Sequence, residues 1–123
     1  MTQENKELLI KDLCARLPYG VWIERKLKSC KFGAKCMLHA HDIDAIERGQ
    51  YDFYKPYLFP LSSMTEEQKK EFDISMDMGY AAAYNAEINC ANRMIDFFNK
   101  YHLDYRGLIP MGLAIDATGK NIY

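Results

Sequence analysis

The chain has 123 residues and a mass of 14.3 kDa, with 49% hydrophobic and 27% charged residues. That balance excludes a wholly disordered, collagen-like or coiled-coil chain, and the length points to one domain over residues 1–123 that buries roughly two-thirds of its unfolded surface. A formal charge of −1 and a pI near 6.3 give no general affinity for polyanions.

The hydrophobic spacing predicts a first helix over about residues 5–17, with Leu8, Leu9, Leu13 and Leu17 in helical register and Lys11, Asp12 and Arg16 between them. Thr2 or Asn5 supplies its cap, and Pro18 and Gly20 stop it. Residues 21–27 (VWIERKL) read as a strand, with Val21, Ile23, Arg25 and Leu27 on one face and Trp22, Glu24 and Lys26 on the other. Residues 29–35 form a hairpin turn around Gly33. A second strand over about residues 35–41 carries Cys36, Leu38 and Ala40 opposite Met37, His39 and His41. Residues 42–49 suit either a third strand or one helical turn closed by Gly49, and a strand is the expectation. The run YDFYKPYLFP, residues 51–60, holds five aromatic rings and two prolines and is expected as an extended connector packed onto the body.

Two overlapping capping boxes, Ser63 with Glu66 and Thr65 with Gln68, announce the next helix. Thr65 is the favoured cap, with the helix running to about residue 76 and breaking at 77–79. The longest helix follows over about residues 80–101. Tyr84, Ile88, Ala91, Ile95 and Phe98 recur at steps of four and three as a stripe expected to be buried, and Asn85, Asn89, Asn92, Asp96 and Asn99 line another face. The tail, interrupted by Gly107, Pro110 and Gly112, is expected to turn and dock a short helix or strand. The fold class is therefore α+β: an N-terminal helix, a small antiparallel sheet of two or three strands, and two packed C-terminal helices.

The first apolar run, Leu8-Leu9-Ile10, is too short for an export signal, and no run reaches the 18 apolar residues that a membrane span requires. The expectation is a cytoplasmic protein with no membrane contact, in which Cys14, Cys30, Cys36 and Cys90 stay reduced. Charge is uneven: residues 1–35 carry +4 and residues 36–123 carry −5.

No P-loop, dinucleotide, zincin or nucleophile-elbow motif occurs, and a Cys–His nucleophile pair has no signature behind it, so no catalytic residue is assigned and no cofactor is implied. Cys30, Cys36, His39 and His41 are the most metal-like cluster. Their spacing departs from that of zinc knuckles, and strand alternation sends Cys36 away from the two histidines. Arg25, Lys26, Lys28, Lys31 and Lys35 place five cations within eleven residues at the hairpin tip beside Trp22 and Phe32, which suits phosphate contacts as well as it suits a solvated tip. An anion site at the serine-rich helix start is opposed by Glu66 and Glu67 in the first turn. Tyr57, His102, Asp104, Tyr105 and Arg106, with Lys55 and Ser63, are the remaining candidates for a ligand pocket or a partner surface. An Asp/Arg pair fixing a turn under buried tyrosines is the alternative.

The runs 55–68 (KPYLFPLSSMTEEQ) and 104–114 (DYRGLIPMGLA), with LPYGV at 17–21, resemble a family of small uncharacterised proteins of gut anaerobes and their prophages. The resemblance covers about a third of the chain. It implies a phage or mobile-element context in a bacterial cytoplasm and carries no activity, cofactor or catalytic residue. The functional expectation is a non-enzymatic binding or regulatory protein acting on a host or phage macromolecule, as monomer or homodimer, with its contact surface at the aromatic run, the SSMT helix start and the DYRG turn. A ligand-binding or enzymatic pocket near that turn, and nucleic-acid binding by the basic hairpin, are the alternatives.

Overall fold

The computed structural model describes residues 2–27, 33–81 and 85–123. Helix α1 (Gln3–Arg16) is capped by Thr2, whose hydroxyl accepts from the Asn5 N–H at 3.1 Å, and a 3₁₀ turn through Pro18 ends it. Strands β1 (Trp22–Leu27) and β2 (Ala34–Met37) form the antiparallel hairpin, with Val21 and Ile23 buried as their alternation requires. On α1 the buried positions are Leu9, Asp12, Leu13 and Arg16, so two residues expected among the surface charges lie on the inner face.

The structure corrects the reading between residues 38 and 60. Residues 42–49 are not a strand: helix α2 (Ala40–Glu47) occupies the segment. Its start is fixed by Asp42, whose carboxylate accepts from the His39 backbone N–H at 2.8 Å, and Asp42, Ala45 and Ile46 turn inward at helical spacing. The aromatic run is not a connector. It is strand β3 (Tyr51–Leu58), and it lies inside the sheet. The sheet has four strands in the order β2-β1-β3-β4, with β1 antiparallel to both neighbours and β4 (Ile115–Asp116) parallel to β3, so it is mixed rather than antiparallel. Pro56 is tolerated in an inner strand because it stands at a handover. Its pairing with Ile23 is the end of the β1 ladder, and β4 joins only at Tyr57. The core gathers Leu9, Leu13, Val21, Ile23, Leu38, Ile46, Leu58, Leu108 and Leu113 between α1, α2, the sheet and the tail.

Two helices do pack together at the C-terminal side, with altered boundaries. Helix α3 (Glu66–Ala81) starts at the expected Thr65 box, Thr65 and Gln68 exchanging hydrogen bonds at 2.9 and 3.1 Å. It does not break at 77–79, and helix α4 (Ala86–Lys100) begins later than expected. Gly79 serves a close approach of helices: a Cβ there would lie 2.8 Å from Cys90 Sγ and 3.2 Å from Arg93 Cδ. The apolar stripe expected on α4 is buried only at its end. Ile88, Ala91 and Ile95 face outward and Phe98 packs on Phe72 and Tyr105, while Cys90 and Phe97 are the buried apolar positions; Tyr84 lies outside the described residues. Among the described residues no helix is long and apolar enough to cross a membrane.

Gly79→Ala gains helix propensity of about 1 kcal/mol but overpacks the contact by about 1–3 kcal/mol, so the expected net is a loss of stability. Thermal denaturation of Gly79→Ala should show a lowered midpoint, and adding Cys90→Ala should recover part of it, because the clashing sulfur is then gone.

Candidate functional site

The DYRG segment lies on α1. Arg16 is fully buried; its Nε donates to Asp12 Oδ2 at 2.7 Å and its Nη2 to the Leu103 carbonyl at 2.8 Å. Arg106 brings its Nε within 3.2 Å of the other Asp12 oxygen. The Arg16 and Arg106 guanidiniums each lie over the Tyr105 ring, 5.1 Å from its centroid, and the ring stacks on Phe98 at 5.6 Å. The buried Asp104 carboxylate accepts from the backbone N–H groups of Leu108 and Ile109 at 2.8 and 2.9 Å, closing a turn that Gly107 enters at φ +75°. Asp104, Tyr105 and Arg106 are thus brought together, and each is engaged by the fold.

His102 sits beside this network in the left-handed region at φ +58°, its ring stacked on Tyr123 at 3.6 Å. Burial, and then the positive charge of Arg16, pushes its pKa down to about 4. Tyr123 closes the chain onto the sheet: its hydroxyl donates to the Tyr57 carbonyl at 2.7 Å and accepts from the Trp22 N–H at 3.0 Å, and burial raises its pKa. Tyr57 is itself buried, its phenol pKa raised by burial and then by Glu24.

Lys55 and Ser63 are separated from that network and from each other. Lys55 lies over the Phe53 ring at 4.9 Å and lines a cleft of about 300 Å³ with Asn5, Tyr54, Met111, Gly112 and Leu113. Ser63 donates to the Pro60 carbonyl at 2.6 Å and lines a second cleft, of about 230 Å³, at the head of α3. Phe59, Tyr101 and Leu103 give this second cleft an apolar floor, and Ser63, Thr65, Gln68, Thr118 and Gly119 give it an uncharged rim. A third cleft, of about 250 Å³, lies between α3 and α4 and is lined by Glu71, Arg93, Asp96 and Lys100 with Tyr19, Ser75 and Phe97. There Lys100 pairs with Glu71 at 2.8 Å and Asp96 accepts from the Tyr19 hydroxyl at 3.1 Å. Thr118, Gln68 and Tyr101 went unnoticed in the sequence, where only the 117–120 turn and the Thr65 box were visible signals.

The basic cluster is partly absorbed by the fold. Arg25 pairs with the buried Asp42 carboxylate, Lys35 lies over the Trp22 ring at 5.2 Å, and Lys26 is half-buried; Lys28 and Lys31 lie outside the described residues. His39 and His41 are not on a strand with Cys36. They cap and open α2, their rings stacked 5.4 Å apart with Asp42 within 3.9 and 3.7 Å. Cys36 is half-buried and its thiol pKa is raised by burial, while Cys30 lies outside the described residues. Among the described residues no group of three or more His, Cys, Asp or Glu side chains is placed to hold a metal ion.

No family model matches the chain, and no curated protein or solved structure does so either.

Two outcomes test this network. Asp12→Ala leaves the buried Arg16 without its carboxylate and should destabilise by about 3–5 kcal/mol in denaturant titrations, with Arg106→Ala costing less because that side chain reaches solvent. The neutral form of His102 is the folded form. An unfolded imidazole takes up its proton near pH 6.5 and the folded one only near pH 4, so its contribution is complete above about pH 6.5 and is lost as pH falls towards 4. With the ring partly in contact with solvent, the loss is about 2 kcal/mol. His102→Asn tolerates the positive φ and should flatten the pH dependence of the denaturation midpoint across this window.

Proposed function

We propose that the chain is a non-enzymatic binding protein of a phage or mobile element, acting in the bacterial cytoplasm on a protein of host or phage. Its partner docks at the cleft at the head of α3. The observation that carries this reading is the make-up of that cleft: an open cavity of about 230 Å³ with an apolar floor and a rim of hydroxyl and amide groups, and no charged side chain in its lining. General acid–base or nucleophilic chemistry requires a titratable pair poised on a reacting atom. Here the titratable floor residue, Tyr101, gives its hydroxyl to Glu71. A cavity of this size and polarity suits one apolar or aromatic side chain presented by a partner surface, held at its edge by neutral hydrogen bonds.

The position of the cleft supports the same reading. Its floor and rim draw Phe59, Ser63, Thr65 and Gln68 from the run over residues 55–68, and Leu103 adjoins the run over residues 104–114. These are the two longer of the three stretches on which the resemblance to the prophage family rests. The side chains there that are rich in chemistry, Asp104 and Arg106, hold the turn that shapes the cleft's neighbourhood.

Thr118 is exposed on the rim, so Thr118→Arg fills the opening without touching the core. Capture from nuclease-treated host lysate should give a protein that the wild-type chain retains and that Thr118→Arg binds at least about tenfold more weakly. The remote Arg48→Ala, at the C-cap of α2, should leave capture unchanged. Capture that is equal for all three proteins, or that disappears on nuclease treatment, overturns the proposal.

A further inference from the structure

The cleft of about 300 Å³ shares no lining residue with the cleft at the head of α3, and Lys55 is the one charged residue among its described lining. Lys55 stands on β3 opposite Glu24 of β1, yet no ion pair joins them. The Glu24 side chain lies towards the start of β2, with its Oε1 3.5 Å from where a Cβ on Gly33 would stand. The half-buried Lys55 holds its ammonium 4.9 Å from the centre of the Phe53 ring, and among the described residues it has no acid for a partner.

The second polar group of the lining comes from α1. Asn5 is the third residue of that helix, and its backbone N–H is taken by the Thr2 hydroxyl. Its half-buried side-chain amide makes no hydrogen bond among the described residues. Glu4, the acid of the same turn, is exposed and does not line the cleft. The walls are otherwise apolar: the Phe53 ring, the buried Tyr54 and Leu113, and Met111, whose thioether chain adapts to what it meets.

We infer that this cleft binds a monocarboxylic acid with a flat apolar body, whose carboxylate accepts from the Lys55 ammonium and the Asn5 amide while its body rests on Phe53 and Met111. An ammonium that lies over one ring still has donors to give, and its strongest acceptor is an anion. One cation with no acid beside it balances one negative charge. A phosphate monoester carries roughly two charges and offers nothing to the apolar walls. A nucleic-acid backbone needs a row of cations, and this cleft has one. A neutral apolar ligand would cover the ammonium and the amide without pairing either. The first turn of α1 adds the positive end of a helix dipole on the same side. The volume lies at the lower end of the range for ligand sites, so the occupant is small. A free acid and the C-terminal residue of a peptide both present this combination, and the test separates them.

A nitrogen–proton correlation titration of the full chain with 3-phenylpropionate reads the site directly. The Asn5 side-chain amide and the Gly112 backbone N–H should shift together and saturate with a Kd of about 1 mM. The neutral 3-phenylpropionamide should bind at least about tenfold more weakly, and inorganic phosphate at the same ionic strength should give no saturable shift. Lys55→Met keeps an unbranched stem over Phe53 and removes the charge. Asn5→Asp places an acid where the helix dipole favours one, so the fold is kept while the ligand is repelled. Each should weaken binding of the acid at least about tenfold, whereas Lys69→Met, exposed on α3, should bind like wild type. A tetrapeptide of three glycines and a C-terminal phenylalanine supplies the other source. Tighter binding than the free acid assigns the site to a chain end and weaker binding to a small molecule, and both uphold it. No saturable shift up to about 20 mM acid, equal binding of the amide, or either cleft variant binding like wild type overturns the inference.

Discussion

Arg16 is the side chain on which the two ends of the molecule meet. A guanidinium with no exposed surface is tolerated only when charge and hydrogen bonds surround it. Its surroundings come from both ends: Asp12 one turn earlier on α1, the Leu103 carbonyl, and the face of the Tyr105 ring. Arg106 then reaches the second oxygen of Asp12, so one buried carboxylate serves two cations. Any arrangement that leaves residues 103–106 away from α1 strands a buried charge at several kcal/mol. The tail from Leu108 to Ala114, which completes the core, is held in place by the same set of contacts.

That constraint also bears on function. The side chains of the C-terminal third with the richest chemistry are those that the ionic network occupies. Asp104 is consumed by two backbone N–H groups, and His102 is held neutral under Tyr123 by burial and by Arg16. What faces solvent near them is the neutral cleft under Thr65 and Thr118. The proposed role in binding follows from this division, in which charge is used for architecture and the open surface is made of rings, hydroxyls and amides.

The sequence was most legible where a local rule decides the outcome. The Thr65 cap, the alternation of β1 and its antiparallel pairing with β2 each depend on residues close in sequence, and of the two caps open to the first helix, Thr2 is the one used. It was least legible where a distant partner decides. Pro56 argued against an inner strand, and only the change of neighbour from Ile23 on β1 to β4 at Tyr57 makes room for it. In residues 42–49, Ile43 and Ala45 alternate over a window too short to separate a strand from a helix, and the contact of the His39 N–H with Asp42 settles the matter. Asp12 and Arg16 read in the sequence as an ordinary i,i+4 surface pair, because what buries them is distant: the Leu103 carbonyl lies 87 residues from Arg16, and Arg106 reaches Asp12 from the same segment. Of the candidate site, the segments were legible and the side chains were not: Ser63 lines the cleft, while its companions Thr118 and Gln68 come from a turn and a cap whose ordinary roles concealed them.

The case of α4 shows why periodicity locates an apolar stripe without saying which way it faces. The helix carries two, Ile88-Ala91-Ile95 and Cys90-Phe97, and either satisfies a helical repeat. The choice between them is made on α3. Gly79 lets Cys90 come within the space that a methyl group would fill, and Phe72 offers a ring to Phe97 and Phe98. Once that contact is made, rotating α4 to bury Ile88 and Ile95 would turn the exposed Asn85 and Asn92 towards α3, where their amides would need partners. The more regular of the two stripes is therefore left on the surface as a consequence of how the helical pair closes.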